Sequence, residues 1–256
     1  MFGAWRRWRR RRLLERGSLD PLLWRRTLAQ LPFLAGLDAQ EEARLRDRVI
    51  VFLAGKSVHG AGGLVLEPVM PLMIAAQACI LILNLDDEYY AGWEEVIVYP
   101  DEFVPRYEYV DDAGVVHTEH APRMGEAWLG GPVILSWADV APRAGGDGVN
   151  VVIHEFAHKL DMLNGDTNGF PPLHSGMSRQ AWAAAFEPAY ADFCRRVDAD
   201  EETAIDPYAA ESPGEFFAVL SEAFFETPHA VHADYPAVYA QLQAFYRQDP
   251  RARLTV

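Results

Sequence analysis

The pentapeptide His154-Glu155-Phe156-Ala157-His158 constrains this 256-residue chain more than any other feature. It lies in VNVVIHEFAHKLDML, a stretch with helical periodicity. On a helix, positions i and i+4 stand one turn apart on the same side, so two imidazoles can meet one metal ion while Glu155 projects beside it. With His154 at 0° and about 100° per residue, Val152, Ile153, Phe156, Ala157, Leu160 and Leu163 share one apolar face. His154, Glu155, His158 and Asp161 occupy the other. The histidine pair therefore does not fill the core stripe, and a merely solvated face would mix Lys, Arg and Glu instead of repeating His in this register.

A catalytic zinc site takes three protein ligands and keeps a fourth position for water. The third ligand has to come from elsewhere in the chain. In the metzincin spacing, His would stand six residues past His158 and Gly three past it; those places hold Asn164 and Asp161. The segment ESPGEFFAVLSEAFFE offers Glu215, Glu222 and Glu226, which fall within about 40° of one another on a helical wheel, clear of Phe216, Leu220, Ala223 and Phe224. Periodicity does not choose among them. Glu215 also has a structural role open to it, because Ser212 to Glu215 is a capping-box spacing.

The rest of the chain reads as α+β, a small sheet ahead of several helices without strand-helix alternation. Asp38 to Ala54 is expected to be a helix with Leu45, Val49 and Phe52 on one side. Val69 to Leu83 reads as a core helix opening at prolines. Strands are expected at Glu95 to Tyr99, at Arg106 to Val110 with Val115 to Glu119 as a hairpin, and at Pro132 to Trp137. Helices follow from about Val149 to Leu163, with turn and cap chemistry in Gly145 to Gly148 and a stop at Gly165. Others are expected at Ser178 to Val197, Pro213 to Phe225 and Tyr235 to Tyr246. The expectation is one domain over residues 1–256, with an Arg-rich, mobile segment at 1–26.

Charge is distributed unevenly. Nine arginines against Glu15 and Asp20 leave residues 1–26 at +7, so the other 14 basic and 35 acidic residues carry −21. A body that acidic repels polyphosphate, and direct nucleic-acid binding by it is not expected. The Arg-rich start admits an anionic-surface contact through Trp5, Trp8 and the arginines, a docking arm for a partner protein, or a solvated terminus. It has no secretory-signal pattern, so a cytoplasmic location is expected. The 15-residue run Val69 to Leu83 falls short of a bilayer span, and no transmembrane segment is expected. Cys79 and Cys194 are expected to be buried and reduced.

VNVVIHEFAHKLDMLNGD followed by DPYAAESPGEFFAVLSEAFFE resembles the Mlc titration factor A family of zinc peptidases, over most of the chain. The pairing of HEFxH with Tyr-x6-Glu-Phe-Phe-Ala is also similar to the peptidase domain of lethal-factor-type toxins. The resemblance implies a small mixed sheet packed on helices, with a zincin-like catalytic core and a C-terminal helical part carrying the third ligand. It further implies one zinc ion held by His154, His158 and Glu215, Glu155 as general base, and Tyr208 as the electrophilic helper. The implied substrate is a peptide, with preference for an amino-terminal residue. The family name implies a transcriptional repressor as a partner, and the alternative to a peptidase is a non-catalytic binding protein that sequesters that repressor, with the zinc structural.

Two subsidiary expectations concern the surroundings of the site. Asp161 would either hold an imidazole N–H or be a solvated helix residue. Strand Pro132 to Trp137 would either be a sheet edge that pairs with an extended peptide or an inner strand. His59, His117, His120, His174, His229 and His232 are given no role.

Overall fold

The computed structural model describes residues 2–102, 107–110, 116–119, 124–141 and 148–254. Two helices open the chain, α1 (Phe2–Arg16) and α2 (Pro21–Leu28), the second capped by the Asp20 carboxylate. Helix α3 (Ala39–Gly55) starts in a capping box. Asp38 accepts from the Glu41 N–H at 2.7 Å, and Glu41 accepts from the Asp38 N–H at 3.1 Å. Its Leu45, Val49 and Phe52 are buried, on the side the sequence pattern assigns to the core.

Strand β1 (Ser57–Gly60) leads to α4 (Val69–Leu81), which is buried almost all round because it lies between other helices. Prolines at its start cost little, since the first helical N–H groups have no intrahelical acceptor. Strand β2 (Glu95–Tyr99) has the expected limits, and β3 (Tyr107–Val110) pairs antiparallel with β4 (Val116–Glu119) as the expected hairpin. Arg106, residues 111–115 and His120 lie outside the described residues.

Next come β5 (Gly125–Ala127), β6 (Val133–Ser136) and the short α5 (Trp137–Val140). The sheet order is β1-β2-β6-β5, with β1, β2 and β6 parallel and β5 antiparallel to β6. The strand within Pro132 to Trp137 is therefore an inner strand, the second of the two readings open from the sequence, and not an edge. Val133 and Leu135, which share one face of the sheet, are fully buried. The edge beside it is β5.

The remaining helices are α6 (Val151–Asp161), α7 (Arg179–Asp198), α8 (Pro213–Glu226), α9 (Pro228–Asp234) and α10 (Pro236–Tyr246). The cap of α6 is Asn150, whose Oδ1 accepts from the Ile153 N–H at 3.0 Å. Of the expected glycine-rich turn only Gly148 is described, with φ 84°. A 3₁₀ turn over Met162–Asn164 ends α6 ahead of Gly165, whose φ of 133° suits glycine, and it carries Leu163 out to 41% exposure. Leu163 is thus off the apolar face on which the wheel places it.

Two aromatic clusters fix α6 and α8. Phe156 packs edge-on against Tyr90 and Trp93 and lies 5.7 Å from Phe52, tying the site helix to α3 and to the chain before β2. Helix α8 is buried on nearly every side, with Phe216, Phe217, Phe224 and Phe225 against rings from α7 and α10. Two helices held this firmly can keep facing side chains at fixed separations.

Candidate functional site

Helices α6 and α8 pack directly on each other and bring together the residues singled out by spacing. His154 Nε2 lies 3.1 Å from His158 Nε2 and 3.0 Å from Glu215 Oε2, and His158 Nε2 lies 3.4 Å from the same oxygen. A tetrahedral zinc ion with ligands near 2.0–2.2 Å requires ligand atoms about 3.3 Å apart, so this triangle fits one. The donor set, two imidazoles and a carboxylate, is also one that zinc takes. Glu215 Oε2 is buried and has no well-directed hydrogen-bond partner among the described residues, although both Nε2 atoms are close. Three lone-pair atoms converging on one point account for that arrangement if a cation sits between them.

The three glutamates of α8 separate by height along the helix. Glu215, in the first turn, faces both histidines, while Ser212 caps the helix by accepting from the Glu215 N–H at 3.1 Å. Glu222, two turns on, accepts from His154 Nδ1 at 2.7 Å and also from the backbone N–H of Asn150. Glu226 accepts from the Asn150 amide at 2.8 Å. The wheel puts all three on one face, but only the axial position decides which meets the imidazoles. Burial raises Glu222, whereas at Glu215 burial is outweighed by the adjacent His154 and His158 imidazoles, which hold its carboxyl well below the usual range. Burial works against protonation of His154, yet Glu222, Glu215 and Glu155 together raise it well above the ordinary value. A bound dication would take the place of that proton.

Glu155 is 5% exposed, and burial pushes its carboxyl up to about 7. Edge strand β5 lies against it. A Cβ at Gly125 would come within 2.5 Å of Glu155 Oε1 and 2.7 Å of Val151 Cγ2, so only glycine lets the strand approach this closely. Tyr208 stands on the 3₁₀ turn Pro207–Ala210, which Asp206 caps; the ring is 52% exposed and its centroid is 6.0 Å from that of His154.

Asp161 does not hold an imidazole. Its oxygens accept from the N–H groups of Gly169 at 2.7 Å and Phe170 at 2.9 Å, so it is neither a solvated residue nor a partner of His158, whose buried Nδ1 has no hydrogen-bond partner among the described residues. The acid that orients a histidine is instead Glu222.

Lys159, 4% exposed, is a residue the motif does not flag. Its Nζ donates to the carbonyls of Gly131, at 2.7 Å, and Trp128, and lies 4.9 Å from the Trp93 ring centroid. It thereby pins the turn between β5 and β6 to the site helix. On the wheel it borders the apolar face at about 140°, the one hint in the sequence that it turns inward. Lys159→Met keeps the stem but strands two carbonyls, and is expected to lower the unfolding free energy by about 1–3 kcal/mol in urea titrations. An unchanged midpoint would show that water replaces the ammonium.

The model of a family described as glucose-regulated metallo-peptidase M90 matches residues 5–247. This chain belongs to the M90 metallopeptidase family. Two proteins called Mlc titration factor A resemble it along most of their length. One, from Salmonella schwarzengrund (strain CVM19633), is 39% identical over 235 residues, covering 91% of this chain and 88% of the relative. Another, from Salmonella arizonae, is 39% identical over 234 residues, covering 91% and 93%. Membership of an M90 metallopeptidase family and the His-His-Glu triangle point the same way, to a metal ion between α6 and α8.

Proposed function

We propose that this M90 protein is a zinc-dependent peptidase that hydrolyses peptide bonds, with His154, His158 and Glu215 as metal ligands. The observation that carries this reading is the triangle of two Nε2 atoms and one carboxylate oxygen, 3.0–3.4 Å on a side, next to the buried carboxylate of Glu155. When bound, zinc supplies the positive charge that lets water lose a proton near neutral pH. Glu155 takes that proton and returns it to the leaving amine. Its burial makes it a stronger base than an exposed carboxylate. Tyr208 donates a hydrogen bond to the oxygen on which negative charge develops.

The substrate is a peptide that adds to the sheet at β5, the edge next to Glu155, and the family resemblance favours cleavage after an amino-terminal residue. The setting that goes with this reading is the cytoplasm, where Cys79 and Cys194, both unbridged here, stay reduced. No helix among the described residues is long and apolar enough to cross a membrane.

A second reading concerns partners. The relatives' name, Mlc titration factor A, supports binding of a transcriptional repressor by this chain as well. Its failure in a pull-down would leave the peptidase reading intact.

The deciding experiment is hydrolysis of aminoacyl fluorogenic substrates and internally quenched peptides by the zinc-loaded protein. Cleavage is expected, with loss on chelation and recovery on adding zinc. Absence of any cleavage by protein holding one zinc ion per chain would overturn the peptidase reading, and preference for internally quenched peptides would overturn the amino-terminal one.

A further inference from the structure

Helix α1 is fixed to the protein along one side only. Arg10 bonds to Asp87 at 3.1 Å and approaches Asp47 at 3.8 Å, and just past the helix a Cβ at Gly17 would come within 2.5 Å of Ile50, so the chain lies close on α3. The opposite side carries Trp5, Trp8, Arg9, Arg12 and Arg16, all exposed and within about 100° on the wheel. Trp5 and Trp8 are 56% and 54% exposed, and each has a guanidinium over its ring, Arg9 at 5.8 Å and Arg12 at 5.0 Å.

Such a helix is costly by itself. Arginines recur at i+3 and i+4 (Arg9 with Arg12, Arg12 with Arg16), and like charges at these spacings destabilise an isolated helix. Within α1 only Glu15 opposes them, paired with Arg11 at 2.8 Å. The arrangement becomes favourable against an external array of negative charge.

We propose that the outward face of α1 is a docking surface for an anionic phospholipid bilayer. The charge complementarity is local: the segment 1–26 holds +7 on a chain of −14, and screening over about 8 Å separates it from the acidic body. Indoles distinguish a bilayer from other polyanions. They settle at the headgroup level with the ring among acyl ends and the N–H in water, while arginine meets phosphate. A helix held against the protein by its other side offers a flat face, which suits a plane and not a duplex groove that takes a helix in from both flanks.

The test is co-sedimentation of the full chain with vesicles of phosphatidylcholine alone or mixed equally with phosphatidylglycerol, at 0.1 M and 1 M salt in order-of-magnitude steps of lipid. Binding is expected to the mixed vesicles only, and to weaken at high salt. Arg9→Gln with Arg12→Gln and Arg16→Gln should weaken it about a hundredfold, roughly fivefold per arginine. Trp5→Ser with Trp8→Ser should weaken it at least about tenfold without changing charge, since interfacial binding scales with apolar area. Both variants should melt like the parent protein. Equal sedimentation with neutral and anionic vesicles, unaltered binding by the arginine variant, or tighter binding of duplex DNA than of vesicles at the same salt would each overturn the proposal.

Discussion

Zinc affinity is expected to fall on the order of a thousandfold in Glu215→Gln, about a third of the binding free energy of a typical three- to four-ligand site. The amide matches the carboxylate in size and leaves the Ser212 cap on the Glu215 N–H in place, so the helix start is preserved. What disappears is the anionic oxygen 3.0 and 3.4 Å from the two Nε2 atoms. Glu222→Gln should cost less, about 10–100-fold, because it frees the orientation of His154 but removes no ligand. Glu226→Gln, whose carboxylate accepts from the Asn150 amide, should leave affinity within about twofold. Competition against a chromophoric chelator measures all three. Parental affinity in Glu215→Gln would reduce Glu215 to the residue that follows a helix cap.

The order of those effects shows where pattern reading stops. Spacing in the sequence carries rotation about a helix axis well: it put His154 and His158 on one side, and grouped Glu215, Glu222 and Glu226. It carries no information about how far one helix is slid along another, which is set by the rings between α7, α8 and α10. The axial slide is what separates a residue at Nε2 from one at Nδ1. Strand β5 is hidden for a different reason. Three residues, Gly125 to Ala127, are too few for an alternation to register, and the strand exists because β6 pairs with it and because Gly125 has no side chain to strike Glu155. The inner position of β6 likewise depends on that pairing. Helix α1 escapes expectation because its arginines repel one another, and the contacts that hold it, Arg10 to Asp47 and Asp87, are 37 and 77 residues away in sequence. The long helices α3, α7 and α8 are legible to within a residue, and α6 to within two at each end, with a 3₁₀ turn taking over after Asp161.

Glu155→Gln is expected to leave zinc bound and the fold intact while lowering kcat about 10²–10⁴-fold, the usual contribution of a positioned general base. The amide occupies the same slot under Gly125, so loss of rate would report proton transfer and not packing. The same substitution has a second readout that does not depend on turnover. In the metal-free protein, burial raises the Glu155 carboxyl from an ordinary 4.5 to about 7. Between those two values the folded state retains a proton that the unfolded state has released, so stability falls as pH rises through this window. The full difference corresponds to about 3 kcal/mol. Metal-free Glu155→Gln has no such group, and its stability relative to the parent should climb from about pH 4.5 to about pH 7 and then level off. Urea titrations of both proteins at several pH values measure the difference. A flat difference would mean that Glu155 is charged in the folded protein without cost, because His154 and His158 supply the compensating charge. Its basicity would then be that of an ordinary carboxylate, and the rate effect would have to come from its position alone.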